Sequence, residues 1–220
     1  HLEYYGLTQL MWLADWSGVR TVDARLNETN GGTFAVMFAH RRSAHKANEL
    51  AVDEMLEREA ARGLSSPRAF EAFRESVSWQ RRMLPATIRM LRASGKRVLG
   101  YGASTKGNIL LHPCGLTVED LPCIADVNPD KHGRVTPGTQ IPIVSEAEAH
   151  ALNPDYFLLV PWHFKDYIIE REQAFLDRGG KLIFPLPTIE VVERWASTLA
   201  AFRRASSRRT STIRPRSSSG

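Results

Sequence analysis

Residues 97–108 read Arg-Val-Leu-Gly-Tyr-Gly-Ala-Ser-Thr-Lys-Gly-Asn, and this stretch decides the fold. Its first five residues are mostly apolar, which is typical of a buried strand. The glycines that follow permit a tight turn, and the hydroxyl and lysine side chains open a helix whose first N–H groups can bind an anion. The stretch therefore predicts a strand, a turn and a helix. Two interpretations of the turn stay open: it binds phosphate, or it only redirects the chain.

Strands and helices alternate after this stretch. This alternation is typical of a mostly parallel sheet with helices on both faces, and it places a ligand crevice at the carboxyl ends of the strands. We therefore predict a Rossmann-like α/β domain over residues 96–200. The predicted strands are 97–101, 121–126, 156–160 and 181–184, and the predicted helices are 106–114, 145–151, 164–178 and 189–201.

Polar side chains are predicted to gather at that edge of the sheet. Asp126 ends the second strand, where a Rossmann acid meets a ribose hydroxyl, but a turn aspartate would look the same because Asn-Pro-Asp follows closely. Trp162 and His163 follow the third strand and either pack or contact the ligand. The candidate substrate-binding residues are Tyr101, Ser104, Thr105, Lys106, Gly107, Asn108, Asp126, Asn128, Lys131, His132, Trp162 and His163.

Residues 1–45 look like the end of another α/β domain. A helix is predicted to end at Gly18, and strands are predicted at 21–26 and 33–39. The second strand is apolar from its second residue onward, which is typical of a strand buried on both faces of a sheet. Two strands and one helix cannot make such a sheet alone. We therefore expect the rest of this domain to precede His1.

A helical arm, residues 46–95, connects the two parts. One charged amphipathic helix is predicted at 48–62, and a longer helix runs from a Ser66-Pro67 start to Ser94. Pro85 is expected to kink this longer helix or to divide it, because proline lacks the N–H group that a helix needs. Helices of this kind are more often packing or linker elements than functional sites.

Composition excludes several classes of protein. The 220 residues are 43% hydrophobic and 24% charged, which is typical of a globular protein. No stretch approaches the ~20 apolar residues of a membrane span. The cysteines, Cys114 and Cys123, form no Cys-x-x-Cys motif, so we expect two reduced thiols and no metal site. The expected location is the cytoplasm, without a membrane partner.

The net charge of +5 belongs to the end of the chain. Residues 203–220 contain six arginines and no acid, which leaves −1 for residues 1–202. Basic tails can bind RNA or membranes, but no aromatic residue accompanies these arginines to stack on bases. We therefore expect residues 201–220 to form a disordered, solvated tail, and we expect no nucleic-acid partner.

Several sequence strings, taken in order, carry a resemblance to one known family. The strings are Gly100–Asn108, Ile124–Gly133, Thr136–Gly138, Ile141–Ile143, Pro161–Phe164 and Phe184–Pro187. They resemble the C-terminal domain of S-adenosylmethionine-dependent C-methyltransferases that act on dTDP-linked deoxysugars, and the resemblance covers about residues 1–192. In that family, a zinc-binding N-terminal domain and a central S-adenosylmethionine-binding domain come first.

The resemblance implies what the complete protein does. Residues 1–45 would be the truncated end of the class I methyltransferase domain, so the S-adenosylmethionine site and the zinc would lie mainly upstream. His1 matches a histidine that removes the proton beside the 4-keto group of the sugar, although the Tyr and Glu that precede it in the family motif are missing. The resulting enolate carbon would attack the methyl group. The chain itself would bind the nucleotide-sugar and would be inactive alone.

Two other functions stay open on the sequence. The chain could serve as a stand-alone nucleotide-binding or interaction module without catalysis. A dinucleotide-dependent oxidoreductase is disfavoured, because the glycine spacing fits neither G-x-G-x-x-G nor the P-loop. The sequence predicts neither the sugar, nor the methylated carbon, nor the oligomeric state.

Overall fold

The computed structural model describes residues 3–194, apart from the side chain of Asn30. The chain forms two compact units that divide after Ser78, and we call them unit 1 and unit 2. This division falls inside a long helix, whereas the sequence placed boundaries at 45 and 95. The predictions for His1 and for the tail at 201–220 lie outside the described residues.

Unit 1 is built on a two-stranded antiparallel sheet. The apolar side chains of Leu7, Ala24, Val52 and Met55 form its small core between the strands and two helices. A short loop joins the second strand to the second helix, which Asn48 caps by accepting a hydrogen bond from the Ala51 N–H. The elements are α1 (Leu7–Trp16), β1 (Val19–Asn27), β2 (Thr33–His40) and α2 (Glu49–Ala61).

The second strand is partly exposed within the described residues, and its place inside a larger sheet stays a prediction. Strand β2 pairs with β1, and its Met37 and Phe38 side chains are 50% and 43% exposed. An apolar run favours burial, but a strand is covered on both faces only where further strands or helices pack on it. The described part of unit 1 supplies helices for one small core only.

Helix α3 (Pro67–Ala93) begins at the predicted proline and runs through Pro85 without a break, so the alternative in which Pro85 divides it is wrong. Leu84 and Ile88 beside Pro85 are fully buried in the core of unit 2. Helix stability in proteins comes mainly from such packing. The burial of these two side chains therefore offsets the loss of the hydrogen bond that proline cannot make.

The six-stranded sheet of unit 2 confirms the predicted mostly parallel arrangement. Its strands lie in the order β5-β4-β3-β6-β7-β8, and all neighbours pair in parallel except β7 with β8. The helix predicted from residue 189 is wrong over its first residues, because the valines at 191 and 192 pair with β7 instead. The strands are β3 (Val98–Tyr101), β4 (Ile124–Asp126), β5 (Ile143–Ser145), β6 (Tyr156–Leu159), β7 (Lys181–Phe184) and β8 (Glu190–Val192).

Helices cover both faces of this sheet, as predicted. The end of α3 and α4 pack on one face, and α5, α6 and α7 pack on the other. The single helix predicted at 164–178 is two short helices that meet at Glu172, whose carboxylate turns into the core. The helices of unit 2 after α3 are α4 (Thr105–Leu111), α5 (Glu146–Ala151), α6 (Lys165–Arg171) and α7 (Gln173–Asp177).

The strand order creates a switch point beside β3. The chain passes from β3 to β4 on one side and later returns to β6 on the other side. In open parallel sheets, ligands bind outside the carboxyl ends of the strands at such a point. The turn at Gly102 and the residues after β6 therefore lie at the edge where a ligand crevice is expected.

Candidate functional site

The turn after β3 depends on Gly102. Its φ of +82° lies in the left-handed region, which side chains rarely adopt. A Cβ atom at this position would lie 2.6 Å from the ring of Pro161, and the Gly102 N–H donates to the Ala125 carbonyl at 2.6 Å. The turn is therefore fixed between the ends of β4 and β6.

Two further glycines of the motif serve packing. A Cβ atom at Gly100 would lie 2.7 Å from Ile124, and one at Gly107 would lie 1.9 Å from Cγ1 of Val160. Gly107, predicted to contact substrate, thus allows α4 to approach the end of β6. Ser104, also a predicted ligand, caps α4 by accepting a hydrogen bond from the Gly107 N–H at 3.1 Å.

Lys131 ties the glycine turn to the end of β4. Its Nζ donates to the Ala103 carbonyl and to Oδ2 of Asp126, each at 3.0 Å. Oδ1 of Asp126 accepts from the Asn128 N–H at 2.8 Å, and the Asp126 residue is only 5% exposed. Each oxygen therefore has one protein partner, which is the arrangement expected of a turn aspartate, and the carboxylate keeps the capacity to accept a further hydrogen bond.

The turn after β4 presents the next two candidates. The Asn128 side chain caps a short 3-10 turn by accepting from the Asp130 N–H at 2.9 Å. Nε2 of His132 lies 2.8 Å from the Asp126 carbonyl oxygen. Because a carbonyl oxygen only accepts, Nε2 carries a proton, and Nδ1 of the neutral ring would be an acceptor.

The residues after β6 bring an aromatic group to the same edge. The Trp162 ring packs against the cores on both faces of the sheet, and the His163 ring lies 5.8 Å from it and 4.3 Å from Phe164. Burial, and then the positive charge of Lys106, lower the pKa of His163. The lowered pKa favours the neutral imidazole form of His163 at neutral pH. The ring lies on the same side of the sheet edge as the start of α4, where Lys106 is located.

Two buried polar atoms near this edge have no hydrogen-bond partner among the described residues. They are Oδ1 of Asn108 and Nδ1 of His163. A buried polar atom without a partner is uncommon and costs free energy, so such atoms call for an explanation. Oδ1 of Asn108 could accept an N–H or O–H group from a ligand, and Nδ1 of His163 could accept or donate according to the tautomer of the ring.

The structure does not bring the Tyr101 side chain to this crevice. The hydroxyl lies on the opposite face, 2.6 Å from Oε1 of Glu146 and 2.8 Å from Oε1 of Glu172. Burial, together with these two carboxyl groups, raises the pKa of Tyr101 far above its ordinary value. Nε2 of His150 lies 3.1 Å from Glu172, and Arg171 pairs with Glu146.

No local sequence pattern indicates this buried network, because its members lie on separate elements. Successive side chains of a strand point to opposite faces of the sheet, so Tyr101 could have been predicted to lie on the face opposite to that of Gly100.

Metal ligands and membrane spans are absent from residues 3–194. No group of three or more His, Cys, Asp or Glu side chains in that range could hold a metal ion. None of the helices described there is long and apolar enough to cross a membrane. Cys114 and Cys123 are free and buried, and burial raises the pKa of both thiols, which keeps them protonated.

Comparison with known proteins identifies the family. The model of the C-methyltransferase C-terminal domain matches residues 28–187, which include the whole crevice. The chain belongs to this family. The chain is also 35% identical over 192 residues to C-methyltransferase NovU of Streptomyces niveus. The match covers 87% of the chain and 46% of NovU, so the chain spans about half the length of this curated relative.

Proposed function

We propose that the chain is the C-terminal part of an S-adenosylmethionine-dependent C-methyltransferase whose substrate is a nucleotide-linked 4-keto deoxysugar. The observation that carries this proposal is the match to C-methyltransferase NovU along 87% of the chain, together with the family match across the crevice. The dTDP-linked class of substrate follows from the sequence resemblance and is part of the proposal.

In this proposal, unit 2 binds the nucleotide-sugar at the carboxyl edge of its sheet. Thr105 is exposed at the start of α4, and Lys106 supplies a positive charge beside His163. The unpartnered Oδ1 of Asn108 and Nδ1 of His163 suit sugar hydroxyl groups, which donate as well as accept hydrogen bonds. The Lys131 bridge keeps the glycine turn in place for these contacts.

The described residues of unit 1 do not fit a complete site for S-adenosylmethionine. Strands β1 and β2 pair antiparallel, and neither leads through a glycine-rich turn into a helix. We therefore propose that the cofactor is bound mainly by the part of the longer protein that corresponds to the rest of NovU. When bound, S-adenosylmethionine would supply the methyl group.

The chemistry proposed for the sugar needs one base. The 4-keto group acidifies the C3–H bond, and a histidine with a pKa near neutrality can accept that proton. His1 is the proposed base, and it lies outside the described residues. The electron pair of the C–H bond would become the enolate, whose carbon would bond to the methyl group while the bond from that group to the sulfur of S-adenosylmethionine breaks, with S-adenosylhomocysteine as the leaving group.

A methyl-transfer assay tests the proposed function. The complete protein, the 220-residue chain and a no-enzyme control are incubated with S-adenosylmethionine and a dTDP-4-keto-deoxysugar, and the products are analysed by mass spectrometry. We expect a methylated sugar with the complete protein only. A 4-hydroxy analogue should not react, because its C3–H bond is not acidified. Failure of the complete protein with every 4-keto sugar tested would contradict the proposal.

A further inference from the structure

Gln80 of α3 is a buried polar residue that no sequence pattern assigned to the crevice. The residue is 6% exposed, and its Nε2 donates a hydrogen bond to the Pro185 carbonyl at 2.5 Å. This bond fixes the orientation of the amide, because a carbonyl oxygen accepts only from its NH₂ group. Oε1 is also buried and has no hydrogen-bond partner among residues 3–194. The unpartnered end of this side chain is therefore an acceptor.

Gln80 lies at the same edge of the sheet as the crevice. Pro185 directly follows β7, which is the parallel neighbour of β6, so the carboxyl ends of these two strands lie side by side. Trp162 and Leu186, which come after these strands, both pack against the core that α3 and α4 cover. Helices of the arm were expected to be packing or linker elements, but α3 supplies a polar wall at the edge of the crevice.

Three buried polar atoms without a partner among the described residues now lie at one edge and on one face of the sheet. They are Oε1 of Gln80, Oδ1 of Asn108 and Nδ1 of His163. Gln80 and Asn108 belong to the two helices of that face, and His163 lies near Lys106 at the start of α4. A buried acceptor that has lost water and gained no donor costs free energy. A ligand that supplies donors would remove this cost.

The chemistry of these atoms decides which part of a nucleotide-sugar they suit. The two amide oxygens only accept hydrogen bonds. Ionised phosphate groups also only accept, so their oxygens would lie against other acceptors here. A sugar hydroxyl group donates a hydrogen bond, and the uncharged sugar carries no charge that would have to be desolvated. The wall therefore favours the sugar over the phosphates.

We infer that Gln80 is a specificity-determining residue of the crevice, whose Oε1 accepts a hydrogen bond from a hydroxyl group of the sugar. The sugar then lies against α3, and the phosphates lie away from it. The inference rests on the proposed function for the choice of ligand. A ligand without a donor at this place would bind more weakly, because the buried acceptor would stay unpaired.

Isothermal titration calorimetry on the 220-residue chain tests the inference with two ligands. One is dTDP-4-keto-6-deoxyglucose, which carries hydroxyl groups on its sugar, and the other is dTDP, which lacks that sugar. We expect Gln80→Met to raise the Kd for the dTDP-sugar about fivefold, as the loss of one hydrogen bond would, and to leave the Kd for dTDP unchanged.

Gln173→Met is the matched control. Gln173 is exposed on α7, on the opposite face of the sheet, and its Nε2 also donates to a backbone carbonyl, that of Ile169, at 2.8 Å. This variant should bind both ligands as the wild type does. Circular dichroism checks that each variant folds.

Side-chain amide NMR of the ¹⁵N-labelled wild-type chain gives a second test that needs no variant. We expect the NH₂ resonances of Gln80 to shift on addition of the dTDP-sugar, because its Oε1 gains a donor, and to stay in place on addition of dTDP. The same resonances unchanged with both ligands would overturn the inference.

Three calorimetric results would also overturn it: no binding of the dTDP-sugar by the wild-type chain, an unchanged Kd for the dTDP-sugar in Gln80→Met, or an equal loss for both ligands. An equal loss would indicate a purely structural role. The proposed function would still stand if the complete protein transferred methyl groups. Conversely, a loss confined to the dTDP-sugar without methyl transfer by the complete protein would retain the role of Gln80 and remove the proposed reaction.

Discussion

Removal of the Tyr101 hydroxyl gives the most quantitative prediction for unit 2. In Tyr101→Phe, the carboxyl groups of Glu146 and Glu172 lose the one hydroxyl donor that they share, at 2.6 Å and 2.8 Å. A buried hydrogen bond to a charged group contributes about 1.5–3 kcal/mol. Because His150 and Arg171 remain as partners of the two carboxylates, we expect the variant to lose about 2 kcal/mol of unfolding free energy.

Urea denaturation of the wild type and of Tyr101→Phe measures this loss. A second substitution, Glu172→Gln, removes the carboxylate charge that lacks the Tyr101 hydroxyl as a donor in Tyr101→Phe. The double variant should therefore lose less than the sum of the two single losses. A loss below about 0.5 kcal/mol in Tyr101→Phe would refute the reasoning, because it would match an ordinary surface substitution.

The same residue predicts a dependence on alkaline pH. The pKa of Tyr101 is raised in the folded state above its ordinary value of 10.0, first by burial and then by the carboxyl groups. Below pH 10, the phenol is protonated in both the folded and the unfolded state, and its contribution to the unfolding free energy is complete. Above pH 10, the phenol of the unfolded chain loses its proton first, so the unfolding free energy falls as the pH rises. Tyr101→Phe should lack this part of the alkaline decrease. An identical decrease in the variant would contradict the assignment.

Three other predictions concern the crevice. Gly107→Ala should cost about 1–3 kcal/mol of unfolding free energy through overpacking against Val160, and G107A/V160A should recover part of it in urea denaturation. Lys131→Met should lower the thermal midpoint by a few degrees, because it leaves a buried carboxylate without its cation, as a calorimetric scan would show. In an NMR titration, the pKa of His163 should lie below 6.5. Lys106→Met should raise this pKa by removing a positive charge, and an unchanged pKa in the variant would contradict the proximity of Lys106 and His163.

The sheet of unit 2 was largely predictable because its central strands are apolar on both faces. The predicted strands at 97–101, 156–160 and 181–184 correspond to β3, β6 and β7 within a residue or so at their ends. β5 and β8 are three-residue strands at or near the sheet edges, and their position depends on pairing rather than on a local pattern. Tertiary contacts decide such short elements.

The site was predictable in its location but not in the roles of its residues. Lys131 and Asp126 were expected at the crevice edge, yet only the fold shows that they bind each other and the glycine turn. Tyr101 could have been assigned to the opposite face from the two-residue period of strands.

Ligand binding by the 220-residue chain tests the central claim most directly. Equilibrium dialysis would compare a dTDP-4-keto-deoxysugar with S-adenosylmethionine as ligands of this chain. A nucleotide-sugar-binding C-terminal part is predicted to retain the dTDP-sugar and to show little affinity for S-adenosylmethionine. Retention of S-adenosylmethionine without the dTDP-sugar would contradict the claim.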